Sequence, residues 1–410
     1  MNIIKIALKN LQKKALTNGL SMLLMALGVA IISLIISLNN QLDNQFVKNI
    51  KGVDMVIGAK GSPLQLILAS IYQIDSPTGN INYEAAKKIT QNPFIKKAIP
   101  LALGDSYQGY RIIGSDSTYL NHFNAEIESG KIFEKPMDCV IGYGILQKFN
   151  LKIGDQLSSS HGLDDEGEQH QEAKYTITGV LKYNNSTIDQ LIITPLESVW
   201  GVHHVTEKHA NAFDLLTEQA DKNLADDKPE KEITAMLVKF RNPMGLMTIP
   251  RNINTNTNMQ AALPAIEINR LLSLLGIGVE ALKWLAIIII LVAGISVFVT
   301  LYNSLKERKY ELALMLSMGA TRLQLFLLLL FEGLFIGVLG FIIGIFIGKI
   351  GLFLVNRAST QSLHYQLNIL QFSLYDLFIL IGCLLISTIA AALPSIGIYK
   401  LNISNTLAEK

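Results

Sequence analysis

Lys306-Glu-Arg-Lys-Tyr-Glu-Leu-Ala-Leu-Met-Leu-Ser-Met-Gly-Ala-Thr-Arg322 is a short charged stretch between two apolar runs of membrane length. One run ends near Leu301 and the next begins at Leu323. A short loop rich in Lys and Arg belongs on the cytoplasmic side of a bilayer. Its spacing predicts a helix, with Leu312, Met315, Leu316 and Gly319 on one side. Gly319 is placed to cap that helix and Thr321 to open the next. A cytoplasmic helix with an apolar stripe needs a surface to cover it. Two surfaces fit: the lipid headgroups, with the helix lying in the interface, or a cytoplasmic protein through which force crosses the membrane.

Half of the 410 residues are hydrophobic, which excludes a disordered chain and suggests a membrane protein with a sizeable soluble part. A bilayer takes about 20 apolar residues to cross. Four runs qualify: Gly19–Leu38, Leu282–Leu301, Leu323–Ile347 and Leu374–Leu393. The first, preceded by Lys5, Lys9, Lys13 and Lys14, is too long for a signal peptide and lacks a small-residue cleavage site at its end. It reads as a retained helix with a cytoplasmic N-terminus. The net charge of +2 gives no footing for nucleic acid. Cys139 and Cys383 form no disulfide framework and read as small buried apolar residues.

The basic residues place segment 1–18, loop 302–322 and tail 394–410 on the cytoplasmic side, so both termini are inside. Segment 39–273 is then outside, with a short polar hairpin at 356–372 between the third and fourth spans. Ser37–Ile50 and Met259–Leu275 keep helical spacing and would extend their membrane helices as a stalk. The intervening sequence turns to short β-rich runs. Strands are expected at Asp54–Gly58, Ile95–Leu101, Tyr107–Ile113, Asp138–Gly142 and Ile233–Phe240, and helices at Leu64–Tyr72, Tyr83–Thr90 and Gly144–Phe149. Gly104-Asp105 marks a turn, Tyr175–Leu181 and Gln190–Thr194 read as a hairpin, and Asp221–Lys231 as a charged loop. The expected fold class is an α-helical membrane protein with four transmembrane helices and a large α+β domain between the first and second.

Taken in order, several stretches resemble one family. Ala7-Leu-Lys-Asn-Leu-Gln-Lys-Lys14 is similar to its N-terminal amphipathic helix. Cys139 through Asp155 resembles a periplasmic strand–helix–turn element, and Tyr175-Thr-Ile-Thr-Gly-Val-Leu181 the strand that follows it. Glu307 through Ala320 resembles a coupling helix, and Glu332-Gly333 fits the early third span. Together they resemble the membrane subunit of MacB/FtsX/LolC-type (type VII) ABC transporters. The resemblance implies a porter-like lobe (about 51–115 and 225–258), a Sabre-like lobe (about 116–224), and a dimer of this chain with a second copy or paralogue. It implies a separate cytoplasmic ATPase dimer that carries ATP and Mg, a bacterial inner-membrane location, and mechanotransmission to the periplasmic side. A periplasmic or outer-membrane partner, or a lipoprotein client, is consistent with it.

No nucleotide site is expected in this chain. A phosphate-binding loop needs Gly-x4-Gly-Lys-Ser/Thr, and Gly344–Lys349 has the wrong spacing and no hydroxyl. A non-catalytic subunit is expected, with Glu307, Arg308, Glu311, Met315 and Met318 contacting the ATPase. Gly333, Gly337, Gly340, Gly344 and Gly348 form a small-residue face suited to close helix approach, either within one subunit or between two. Glu332 is a carboxylate in a span, costly unless paired. It reads either as a relay or as a hydrogen bond that fixes packing. His161, His170, His203, His204 and His209 lie near Asp164, Asp165, Glu166, Glu168 and Glu172. Imidazoles and carboxylates can hold zinc, so a metal-handling system is one alternative, beside a solvated loop. Ala59–Leu66 reads as a docking loop or as a turn into a core helix. An activator of a periplasmic enzyme is a further alternative.

Overall fold

The computed structural model describes residues 3–161, 169–202, 231–362, 368 and 374–400. The chain divides into two compact units. One comprises Met1–Asp43, Leu274–Ser359 and Leu367–Lys410; the other comprises Asn44–Ser273 and Thr360–Gln366.

Four helices among the described residues are long and apolar enough to cross a membrane. They run Ala15–Ile50, Pro264–Glu307, Arg322–Ser362 and Leu374–Ser395. A separate helix, Ile3–Lys13, precedes them. The expected extension of the first span through Ile50 is present. The second helix starts at Pro264 rather than Met259, because Met259–Ala262 is taken up as a strand. The third helix continues to Ser362, through the first part of the expected hairpin.

Small residues set the packing of the membrane unit. In hydrocarbon no hydrophobic force pulls helices together, so close contact depends on removing side chains from the seam. Added Cβ atoms at Gly333 and Gly337 would fall 2.5 Å from Ala391 Cβ and 2.1 Å from Ser387 Oγ on the fourth helix. Gly340 lies against Met25, Gly344 against Ala26 and Val29, and Gly348 against Ala30, all on the first helix. Gly28 meets Ile290 and Gly294 meets Ile386, closing the remaining seams. The glycine face is therefore filled by the chain's own helices.

These contacts also fix a register. Partners on the parallel first and third helices differ in number by 315 to 318 throughout (Gly340 with Met25, Gly344 with Val29 and Ala26, Gly348 with Ala30). The apolar stretch 19–38 is thus level with about 335–355 of the third helix, not with 323–347. At 1.5 Å per residue, the third helix from Arg322 runs about 20 Å beyond the level of Gly19. Leu325 and Leu329 in this overhang are buried with Leu305, Leu312 and Ile398.

The second unit is built on one sheet. Its strands are β1 (Met55–Ala59), β3 (Ile95–Tyr107), β4 (Tyr110–Gly114), β5 (Ile127–Gly130), β6 (Asp138–Ile141), β7 (Gln156–His161), β8 (Gln169–Leu181), β9 (Ile192–Thr194), β11 (Ala235–Phe240) and β12 (Met259–Ala262); β2 (Ile81–Asn82) and β10 (Glu232–Ile233) pair separately. The order is β12-β1-β11-β3-β4-β9-β6-β8-β5, with β7 pairing β3 and β8. The strand at 235–240 returns to lie between β1 and β3.

Two sequence readings change here, and one open alternative is decided. The turn after β3 falls at Gln108-Gly109, both at positive φ, while Gly104-Asp105 lies at a register shift inside the strand. β8 and β9 do not form a hairpin, because β6 lies between them. Their connection is held by the Asp189 carboxylate, which accepts from the Asn184 and Asn185 amides at 2.9 and 2.6 Å. Pro63–Ile67 and the turn Leu68–Tyr72 bury Leu66, Ile67 and Ile71 in the domain core, so Ala59–Leu66 is a turn into a core helix. The charged segment 221–230 lies outside the described residues.

Candidate functional site

The stretch Lys306–Arg322 folds as the nine-residue helix Lys309–Ser317 between the second and third membrane helices. Its C-terminal end is specified by sequence. Gly319 sits at φ +96°, and the amides of Gly319 and Ala320 donate to the Leu316 and Met315 carbonyls at 3.1 and 3.0 Å, closing the helix in a Schellman turn. Thr321 Oγ1 then accepts from the Gln324 amide, while Gln324 Oε1 accepts from the Thr321 amide. This capping box starts the third membrane helix.

The apolar stripe of the short helix is covered from within. Leu312 and Ala313 are buried, and Met315 and Leu316 pack on the cluster of Leu305, Leu325, Leu329 and Ile398. Burying one such leucine contributes about 1.5–3 kcal/mol, enough to fix the helix on the bundle. The stripe Leu312, Met315, Leu316 therefore needs neither lipid nor a partner. The opposite face leaves Tyr310, Leu314 (43%) and Met318 (72%) exposed.

Glu332 is 3% exposed and is met from two sides. Asn10 Nδ2 donates to its Oε1 at 2.6 Å, and Arg308 Nη1 donates to the same oxygen at 3.4 Å. Arg308 Nε also donates to Glu311 Oε2 at 3.0 Å. That hydrogen bond holds the Glu311 carboxyl below its ordinary range. Lys14 pairs with Glu307. Helix Ile3–Lys13 is thereby tied to both the loop and the third membrane helix, with Ala7 buried and Leu11 packed beside Val297 and Leu301. Its partner Asn10 was not legible as a site residue. The available signal was its position on the face of Ala7 and Leu11, three and one residues away.

Of the residues read as partner contacts, Met318 is exposed, Glu307 and Glu311 are exposed but paired with Lys14 and Arg308, and Arg308 and Met315 are held by the chain itself. Tyr310 and Leu314, absent from that reading, share the exposed face with Met318 at a spacing of four. Gly333, Gly337, Gly340 and Gly344 line seams inside the membrane unit. Gly344 and Gly348 lie within a continuous helix, which offers no loop to wrap a phosphate.

His161 ends β7 and His170 lies near the start of β8. His203, His204 and His209 lie outside the described residues. Among the described residues no three His, Cys, Asp or Glu side chains come together as a metal site. His122, half-buried beside Gly52, is pushed down to about 4 by burial, with Lys97 and Lys239 adding to the shift. Burial, with Asp138 adding, pushes the Cys139 thiol up to about 12.

Comparison with known proteins agrees with this architecture. The MacB-like periplasmic core domain matches residues 19–237, and the FtsX-like permease C-terminal domain matches residues 284–403. The chain belongs to the FtsX/MacB-type ABC transporter permease family, as a multi-pass membrane protein with four apolar helices and a large α+β periplasmic domain. It is 22% identical over 318 residues to an uncharacterized ABC transporter permease of Methanocaldococcus jannaschii, covering 74% of this chain and 62% of that relative. The match thus spans less than two thirds of the relative's length. Two solved structures are similar at low identity. The periplasmic region of MacB from Actinobacillus actinomycetemcomitans aligns at 9% identity and a TM-score of 0.33, over 55% of this chain and 97% of that one. The extracellular domain of the noncanonic ABC-type transporter YknZ from Gram-positive bacteria aligns at 11% and 0.29, over 50% and 98%.

Proposed function

We propose that this chain is the permease subunit that couples a separate cytoplasmic ATPase dimer to conformational change in its periplasmic domain. Permease family membership implies an ATPase partner. The observation that carries the coupling reading is the two-faced helix Lys309–Ser317. One face is fused to the ends of the second and third membrane helices, and the other exposes Leu314 and Met318 beside Glu307 and Glu311. The apolar pair would fill a groove on the ATPase and the carboxylates would meet its basic rim. Tyr310 extends this surface.

In this reading, loop 306–322 and both termini are cytoplasmic, in a bacterial inner membrane, and two permease chains, identical or paralogous, meet two ATPase chains. Helices Ala15–Ile50 and Pro264–Glu307 each run unbroken from one unit of the chain into the other. A nucleotide-dependent shift at the short helix has a continuous α-helical path to follow. The shift can be no larger than the difference in contact energy between nucleotide states. ATP and Mg act on the partner, and this chain supplies positioning rather than bond chemistry.

The test is ATP turnover by the ATPase, co-reconstituted with this chain. Leu314→Asp with Met318→Asp should abolish permease-stimulated turnover while the chain still inserts and folds. Full stimulation by that variant would remove the assignment.

A further inference from the structure

Helix Met244–Asn256 of the periplasmic domain has two faces. Gly245, Ile249 and Ile253 are buried. Ile249 and Ile253 belong to the same core cluster as Phe240, and a Cβ added at Gly245 would fall 2.6 Å from the Phe240 ring. On the opposite face, at helical spacing, stand Met244, Met247, Thr248 and Arg251, all exposed. Met244 is 66% exposed and Met247 80%. A helix turned toward water carries polar residues on that stripe; this one carries two methionines that no described part of the chain covers.

The surface continues onto the end of the sheet. The Arg241 amide donates to the Phe94 carbonyl at 2.8 Å, and Arg241 Nε donates to the Ile95 carbonyl at 3.2 Å. These bonds seat the guanidinium beside the loop that exposes Phe94. The charge here has one sign. From Lys239 to Ile266 the basic residues are Lys239, Arg241 and Arg251, and there is no Asp or Glu. Helix Tyr83–Thr90 packs on the same cluster and adds exposed Lys87 and Lys88, with Glu84 in its first turn. Among the described residues, neither Arg241 nor Arg251 has an ion-pair partner.

Chemistry separates the possible occupants. A second copy would bring this same basic surface against itself across a twofold axis, and like charges facing each other are repulsive. A bilayer anchor needs a broad apolar face of Trp, Phe or Leu, whereas this stripe is narrow and runs into Thr248, Asn252 and Thr255. A protein segment that sets carboxylates beside apolar side chains meets both requirements. The unbranched thioether of methionine adapts well to such a surface. We infer that the exposed stripe of helix Met244–Asn256 is a docking surface for a periplasmic protein. It engages an acidic amphipathic segment whose apolar side chains pack on Met244 and Met247 and whose carboxylates meet Arg241 and Arg251. The inference is independent of what the ATPase-facing surface binds, and its test uses no ATPase.

The full chain is placed in phosphatidylcholine nanodiscs and titrated against two labelled helical peptides of about 18 residues, or five turns. Both peptides carry the same leucine face; the polar face bears glutamates in one and lysines in the other. Fluorescence anisotropy should show the glutamate peptide binding at least about tenfold more tightly, with the preference shrinking in high salt. Arg251→Glu should weaken that binding about fivefold. Met244→Ser with Met247→Ser should weaken it at least about tenfold, and these exposed substitutions leave the buried face of the helix intact. Equal binding of the two peptides would overturn the proposal. So would glutamate-peptide binding that survives the methionine double variant, because the contact would then be one of charge alone. Two other results would replace the occupant: a disulfide between two Met247→Cys chains would assign the stripe to a second copy, and co-sedimentation of the discs with phosphatidylglycerol vesicles, abolished by Arg251→Glu, would assign it to lipid.

Discussion

Substituting Gly344 should weaken the fold of a single chain, and the size of the effect can be worked from the contacts. A Cβ built at this position falls 2.6 Å from Val29 Cβ and 2.7 Å from the Ala26 carbonyl oxygen. Ordinary carbon contacts lie at about 3.5–4.0 Å, so Gly344→Ala must open the seam between the first and third helices by about 1 Å. Backbone lies on the far side, and no rotamer change relieves it. Overpacking of this kind costs about 1–3 kcal/mol. Alanine also favours helix over glycine by about 1 kcal/mol, which would mask part of the cost. Gly382 supplies the control: it lies in a membrane helix with nothing within 4 Å of its added Cβ. The propensity gain is common to both variants, so their difference isolates the steric term, about 1–3 kcal/mol in favour of Gly382→Ala. Equilibrium unfolding in mixed detergent and SDS, followed by tryptophan fluorescence, measures that difference. Two results would refute the reasoning. One is equal stability of the two variants within about 0.5 kcal/mol. The other is a Gly344→Ala chain that keeps its monomer stability and loses only self-association, which would move the glycine face to a contact between subunits.

Leu312→Asp should unfold the short helix from the bundle, whereas Leu314→Asp, one face away, should leave detergent stability within about 0.5 kcal/mol of the parent; equal loss in both would reverse the assignment of faces. Removing the Glu332 carboxylate and its partners separately should be non-additive: Arg308→Ala and Glu332→Gln share one contact, so the double variant should be less destabilised than the sum of the singles, by about 0.5–3 kcal/mol. His122 is held neutral when folded, with its pKa lowered from 6.5 to about 4. Its contribution is therefore fully present above pH 6.5 and is lost as pH falls from there toward 4, and His122→Gln should flatten that limb of the stability curve. Cys139, buried and pushed up to about 12, should resist maleimide at pH 7.5 in the folded chain and label on denaturation; rapid labelling of the native protein would contradict its burial.

The helical skeleton was legible because apolar runs of membrane length admit one solution in lipid. Gly319 named the end of the loop helix and Thr321 the start of the third membrane helix, since a left-handed cap and a hydroxyl cap are chemical requirements carried by single residues. What failed depended on long-range pairing. The peptide around Tyr175–Thr194 alternates like a hairpin, but β6, from 34 or more residues earlier, enters between its strands. Nothing local encodes that insertion. The direction of the loop helix was also hidden. Leu312, Met315 and Leu316 formed the visible stripe, yet the residues that cover them, Leu305, Leu325, Leu329 and Ile398, come from three other segments. A stripe shows that something covers it, not which surface does so. Once that stripe is satisfied internally, the exposed Leu314 and Met318 become the informative pair.

The position of Glu332 follows from the same argument and changes its meaning. Counted along the apolar run from Leu323, this carboxylate sits inside hydrocarbon, where it demands a functional explanation. Counted against Met25 and Val29 across the glycine seam, it lies just before the level of Gly19, where Asn10 and Arg308 reach it from the N-terminal helix and the loop. The residues before it, 322–331, then belong to the overhang. That overhang gives the short helix a firm base: Leu325 and Leu329 lie under Leu312, and the second helix contributes Leu305 from the other side. A load applied at Leu314 or Met318 meets packed helix rather than loop. If the overhang is what transmits that load, Leu325→Ala with Leu329→Ala should reduce permease-stimulated ATP turnover even though neither residue is exposed. The same pair placed at Leu339 and Ile342, which are exposed on the apolar part of the same helix, should leave it intact. Equal turnover in the two double variants would mean that the overhang carries no load.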